Sequence, residues 1–197
     1  MLDPGKPTRR RTGNVGWRVR LGFLREGAAT QLLEFALMLP LLVVLAVGIF
    51  DFGSAFNLRQ KLTNAAREGA RIAISQSTAD LTQPTPGTVQ AVGSAVVNYL
   101  TNENVATSFI GTTPTKTGAL EWTYSSTISG NPVLVIDRGA TIPVTVNGVT
   151  TLIVATRVTL NYPYSWSFNR IIRLLVPSAS FAGSFVISTV SVMKNLT

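Results

Sequence analysis

From Phe35 to Phe50 the chain carries no charged side chain and nothing more polar than Gly48 or Pro40, while Lys6, Arg9, Arg10, Arg11, Arg18, Arg20 and Arg25 crowd the first 25 residues against Asp3 alone. About 20 helical residues rising 1.5 Å each cross the hydrocarbon layer of a bilayer. With Glu34 and Asp51 at its ends the run is near the short limit, and small or weakly polar residues extend it toward Ala29 and Phe56. Length alone allows three fates: a membrane anchor, the core of a secretory signal, or a buried helix of a soluble domain. The flank decides against the last, because a strongly basic arm has no evident use before a core helix. Excess Lys and Arg beside an apolar run marks the cytoplasmic side, so the arm is expected to fix topology and lie on anionic lipid rather than bind nucleic acid.

Chemistry is narrowed by what the chain lacks. It has no cysteine and no histidine, which removes disulfides, thiol chemistry, the usual zinc ligands and the commonest general base. Without histidine no Ser-His pair exists, and Lys116 and Lys194 are scattered among strands and turns, so a Ser-Lys arrangement has no support. Glu34 and Asp51 are separated by roughly 25 Å of helix and cannot share one substrate bond. No catalytic residue, metal ligand or cofactor site is expected, and the chain is read as non-enzymatic.

The carboxylates have meanings of their own. An acid in the hydrocarbon costs about 2.5 to 3.5 kcal/mol on insertion scales, so it normally has a partner or a task. Asp51, at the outer end of the span, is expected near water. Glu34, at the cytoplasmic edge, is open to two readings, headgroup solvation or a specific assembly contact.

Helical patterning does not stop at Asp51. In QKLTNAAREGARIAI (60–74), Leu62, Ala66, Gly69 and Ala73 share one face and Lys61, Asn64, Arg67, Glu68 and Arg71 lie mostly off it. One helix from about 30 to about 75 results, with a kink expected at Pro40, where a backbone bond is lost. Its upper stripe is small (Ala65, Ala66, Gly69, Ala70, Ala73), which suits close approach either by the protein's own sheet or by another subunit. A Pro/Gly-punctuated loop follows, then a short amphipathic helix over 88–101 carrying Val89, Val92, Val96, Val97 and Leu100.

Beyond Gly111 the period becomes two. Trp122 and Tyr124, then Ile142, Val144 and Val146, then Leu152, Val154, Thr156, Val158 and Leu160 alternate with their neighbours. Asn147-Gly148 separates two of these runs and tolerates the positive φ of a tight hairpin turn, giving a hairpin over 140–160. Gly130-Asn131-Pro132 and Asp137-Arg138-Gly139 are read as turns, and a last strand falls at about 185–192. The fold class is α+β: a transmembrane helix continuing into an amphipathic one, which covers an antiparallel sheet of four or five strands.

The segment GAATQLLEFALMLPLLVVLAVGIFDFGSAFNLRQKLTNAAREGARIA, Gly27 to Ala73, closely resembles the N-terminal signature of the TadE-like proteins of tight-adherence (Tad/Flp) pilus systems, relatives of type IV pilins. EFAL-LP (Glu34 to Pro40) together with LTNAAREGAR (Leu62 to Arg71) carries the resemblance, and VTLNYPYSW followed by a final strand fits it less distinctively. The resemblance implies a minor pilin or pseudopilin in the bacterial inner membrane, with other pilin-like subunits, the assembly machinery and a prepilin peptidase as partners. It implies assembly contacts at Glu34, Asp51, Arg67 and Arg71, a helix kinked at Pro40, and processing that places the acid fifth in the mature chain. Glu34 is seventh after Gly27 and fifth after Ala29, so both bonds stand as cleavage candidates.

The implied division is a cytoplasmic arm or leader at 1–27, a transmembrane helix at 28–56 and a periplasmic or extracellular pilin-like domain at 57–197. Two other functions compete. A secreted module would use residues 1–55 as a signal peptide, with Gly53 and Ala55 before the cut. An anchored envelope-binding module would hold cell-wall polymer or a protein partner through exposed Trp122, Tyr164 and Trp166.

Overall fold

The computed structural model describes residues 22–166, 173 and 185–195; the basic arm up to residue 21 lies outside the described residues. The apolar run falls in helix α1, Gly22–Ser75, which continues without a break through Pro40. Within 29–75 this helix is long and apolar enough to cross a membrane, and its most apolar window is not buried by the protein. The chain divides into two units, residues 1–46 and 47–197.

In the second unit, α2 (Gly87–Asn102) and five strands follow: β1 (Thr115–Lys116), β2 (Glu121–Ser125), β3 (Pro132–Val146), β4 (Val149–Tyr164) and β5 (Phe185–Lys194). The strands pair in chain order, each antiparallel to the next. The architecture is α+β, as the change of period from 3.6 to 2 predicts.

The β3–β4 hairpin turns where expected. Asn147 (φ 52°) and Gly148 (φ 80°) both occupy the left-handed region, the pairing of conformations that a two-residue hairpin loop requires. Both strands extend beyond the predicted 140–160, however, and Asp137-Arg138-Gly139 is not a turn. Pairing passes from Asp137↔Arg157 to Ala140↔Ala155, so two residues of β3 face one of β4 in a bulge. The Arg138 amide donates to Leu120 O at 2.8 Å and the Gly139 amide to Asp137 Oδ1 at 2.9 Å. These bonds satisfy the amides that the ladder skips, so a turn-like tripeptide sits inside a strand.

The core lies between α1, α2 and the sheet. Leu62, Ala65, Ala66, Ala70 and Ala73 of α1, Val89, Val92, Val96 and Leu100 of α2, and Trp122, Leu134, Ile136, Val158 and Leu160 of the sheet form one buried cluster. The small stripe of α1 is therefore used within the chain. A Cβ at Gly69 would lie 2.6 Å from Val96 Cγ2, 3.5 Å from Val158 Cγ1 and 3.7 Å from Val92 Cγ1, so this glycine marks where the two helices and β4 converge. One at Gly93 would overlap the Tyr124 ring and hydroxyl. Tyr124 donates to Val89 O at 3.3 Å, and burial pushes its pKa up to about 12.

Helix α2 is fixed at both ends. No side chain caps it at Pro86, but Asp80, from the preceding loop, accepts from the Thr88 amide at 2.9 Å and the Thr88 hydroxyl at 2.6 Å, serving orphan donors of the first turn. At the other end Asn104 adopts φ 57° while the Glu103, Asn104 and Val105 amides donate back to Tyr99, Thr101 and Leu100 carbonyls, a left-handed termination. Lys61 of α1 donates to Glu103 O at 2.7 Å, placing a cation at the negative end of α2 and tying the helices together.

Candidate functional site

Along the first part of α1, side chains that a soluble core helix would bury are open. Leu32 (69 %), Phe35 (58 %), Leu37 (72 %) and Leu41 (71 %) point in different directions around the helix and all are exposed. Gly27, Ala29, Glu34 and Pro40 are exposed as well. An apolar helix uncovered on all sides by its own chain requires lipid or other helices as its solvent.

Asp51 departs from expectation. Rather than facing water, it is 4 % exposed, and the Tyr164 hydroxyl at the end of β4 donates to its backbone carbonyl at 3.2 Å. The neighbouring Phe50, Phe52 and Phe56 are all more than half exposed. Helical periodicity explains the difference, since the face of α1 that carries Asp51 also carries Leu58 and Leu62 toward the core.

Arg67 and Arg71 both lie on the outer face of α1. The Arg71 guanidinium donates to both carboxylate oxygens of Glu68, at 2.8 and 2.6 Å, and this bidentate pairing holds Glu68 below its ordinary pKa. Arg67 is in neither ion pair found among the described residues. The structure thus joins Arg71 to Glu68, and presents Arg67 outward one turn away.

The aromatic residues separate into two groups. Trp122 is fully buried and donates from Nε1 to Pro84 O at 3.1 Å, with Lys116 Nζ 5.2 Å from its ring centroid. It is core, which removes Trp122 from the competing envelope-binding reading; its alternation on a short strand fits core and surface equally. Tyr164 and Trp166 instead join Phe52 and Phe185, with centroid separations of 5.3 Å (Phe52 to Trp166), 5.4 Å (Tyr164 to Trp166) and 5.1 Å (Trp166 to Phe185). Sequence reasoning missed this cluster because its members come from α1, the end of β4, the residues just after it, and β5.

It also missed Arg138. This bulge residue is 3 % exposed; Nη2 donates to Gln76 O at 3.3 Å, while Nε and Nη1 have no partner among the described residues. Burial pushes its pKa down, partly offset by the charge of Asp80. Among the described residues no group of three His, Cys, Asp or Glu side chains is placed to hold a metal.

Residues 29–71 match the family model described as TadE-like protein. Neither the curated proteins nor the solved structures contain a match to the chain. The matched segment holds Glu34, Pro40, Asp51, Arg67 and Arg71 and ends four residues before α1 does.

Proposed function

We propose, from the match of residues 29–71 to the TadE-like family model, that this chain is a Tad-pilus-associated protein, a membrane-anchored minor pilin or pseudopilin that takes part in building the pilus. Its role is structural and non-enzymatic. The basic arm lies in the cytoplasm, α1 crosses the inner membrane once, and the sheet domain stands on the periplasmic or extracellular side. The observation that carries this reading is the uncovered apolar part of α1, which is joined to a segment locked by small residues into the domain's own core. A helix of this kind can exchange lipid for neighbouring pilin helices while its domain stays folded.

Glu34 is the proposed recognition element. Exposed on the apolar helix, its carboxylate is costly in hydrocarbon until it meets a cation, and the free α-amino group of a processed neighbouring subunit supplies one. Cleavage after Ala29 or Gly27 by a prepilin peptidase generates that group. Arg67, and Arg71 with Glu68, provide contacts on the exposed face above the membrane, and Asp51 acts through the buried junction of α1 and β4.

Mass spectrometry of the protein extracted from membranes reports its mature N-terminus, and Glu34→Gln keeps the size of the side chain while removing its charge. Expected are a chain starting at Thr30 or Ala28 and a loss of piliation in E34Q with the protein still resistant to carbonate extraction. Normal piliation in a strain lacking the protein would refute the assembly role.

A further inference from the structure

At the end of the sheet where β4 finishes and β5 begins, Trp166, Phe185 and Val186 face Phe52, Phe56 and Arg59 of α1 across a cleft of about 470 Å³. Phe52 (70 %), Phe56 (64 %) and Val186 (60 %) are among the most exposed large apolar side chains of the second unit. Arg59 is the one charged residue lining the cleft, and it is in neither ion pair found among the described residues.

The cleft begins where the apolar run ends. Phe52 is two residues, Phe56 six and Arg59 nine residues beyond Phe50 on one continuous helix, which at 1.5 Å per residue is about 3, 9 and 13 Å along the axis. The polar layer of a bilayer adds roughly 5 to 7 Å on each side of the hydrocarbon. An arginine on a helix leans toward the N-terminus and extends its head several ångströms to find phosphate, so Arg59 reaches that layer. Asp51, the one charge in α1 between the run and Arg59, is 4 % exposed. Its burial means that lipid can reach as far as Phe56 without meeting a carboxylate. The run from Phe35 to Phe50, short by itself, then gains the length of a full span.

We propose that this cleft is a phospholipid site: the sheet end dips into the outer interfacial layer of the membrane, with the aromatic walls against the glycerol and upper acyl carbons and the Arg59 guanidinium on the phosphate. Rings such as Trp166 favour this depth because they are apolar in body and polar at one edge. The bilayer rather than another protein is the occupant because two of the lining residues, Phe52 and Phe56, are exposed on α1 directly beyond the apolar run, and the cleft's single charge has the sign that phosphate requires. The consequence is a domain held against the membrane by a second contact besides its anchor, so that leaving the bilayer for a fibre means releasing lipid from this cleft.

The inference rests on the anchored reading of α1, and the test separates the two. The full chain carrying Trp17→Phe is reconstituted in phosphatidylcholine/phosphatidylglycerol vesicles whose acyl chains are brominated near the glycerol, leaving Trp166 and the buried Trp122 as emitters. Quenching by the brominated lipid is expected, is expected to disappear in W17F/W166F, and to return when Phe185→Trp is added to that double variant. An unchanged urea midpoint read from Trp122 shows that the fold is kept. Equal quenching with and without Trp166, in protein that resists carbonate extraction, would overturn the lipid site and leave the anchor standing. Release by carbonate would overturn the anchor, and the lipid site with it.

Discussion

Gly69→Ala distinguishes a small residue kept for packing inside the subunit from one kept for contact between subunits. On helix propensity alone the change should stabilise α1 by about 1 kcal/mol. The structure opposes this gain, because the new Cβ would lie 2.6 Å from Val96 Cγ2. Val96 is β-branched, fully buried and held in a helix, so it has essentially one rotamer and cannot swing aside. Overpacking of this kind costs about 1 to 3 kcal/mol, which leaves G69A destabilised by about 1 kcal/mol. Val96→Ala alone removes two buried methyl groups, worth about 0.8 kcal/mol each, and leaves a cavity. The double variant fills that cavity with the new methyl, so its loss should fall short of the sum of the single losses by about 1 kcal/mol or more. Urea unfolding in detergent micelles, followed by the fluorescence of Trp122 in the same core, measures all four proteins. With a slope of about 1 to 3 kcal/mol per molar urea, the shift is readable. A G69A midpoint equal to or above wild type, together with additive losses in the double variant, would refute the packing argument; lost piliation with that unchanged midpoint would assign Gly69 to a subunit contact.

Two further substitutions probe the polar groups around α2. Asp80→Ala removes the acceptor at the start of that helix and should cost about 1 kcal/mol, as losing an N-terminal cap does. Burial raises the Asp80 pKa, but the Thr88 hydrogen bonds and the charge of Arg138 outweigh it and hold the group below the ordinary aspartate value. Being depressed on folding, the group contributes stability that is full above the ordinary aspartate value and lost as pH falls through the folded one. The difference between wild type and D80A in urea midpoint should therefore shrink below about pH 4, and a constant difference down to pH 2 would refute the linkage. Arg138→Met keeps the aliphatic length while removing two buried guanidinium nitrogens that lack partners among the described residues; it should be neutral or stabilising by about 1 kcal/mol or more, and a loss above about 2 kcal/mol in the same titration would show that the guanidinium is fully satisfied.

Elements with a local pattern were legible in the sequence. The period of α2 predicted its bounds within a residue at each end, and Asn147-Gly148 located the hairpin turn because positive φ is a property of those residue types. The stripe at Leu62, Ala66, Gly69 and Ala73 predicted which face of α1 the sheet would cover. Where prediction failed, a non-local partner decided the outcome. Asp137-Arg138-Gly139 has turn composition, yet the free Leu120 carbonyl of the neighbouring chain segment accepts the Arg138 amide and keeps the tripeptide in the sheet as a bulge. The alternation of Trp122 fits core and surface equally, and its hydrogen bond to the Pro84 carbonyl, 38 residues earlier, is a partner that spacing does not reveal.

Asp51 shows why the candidate site was harder to read than the fold. Hydropathy treats the helix as a cylinder and ends the span at the first charge, because a lipid-facing carboxylate is costly. A helix has sides, however, and the side carrying Asp51 meets β4 at Tyr164, while the flanking Phe50, Phe52 and Phe56 turn outward. The cost depends on the surroundings of the carboxylate rather than on its place in the sequence, so the sheet domain, by covering one residue, determines how far along α1 the apolar surface extends. On the proposed anchored reading, fold and span are thereby coupled: loosening the β4–β5 end would expose Asp51 to lipid and shorten the usable span, even though no residue of α1 had changed.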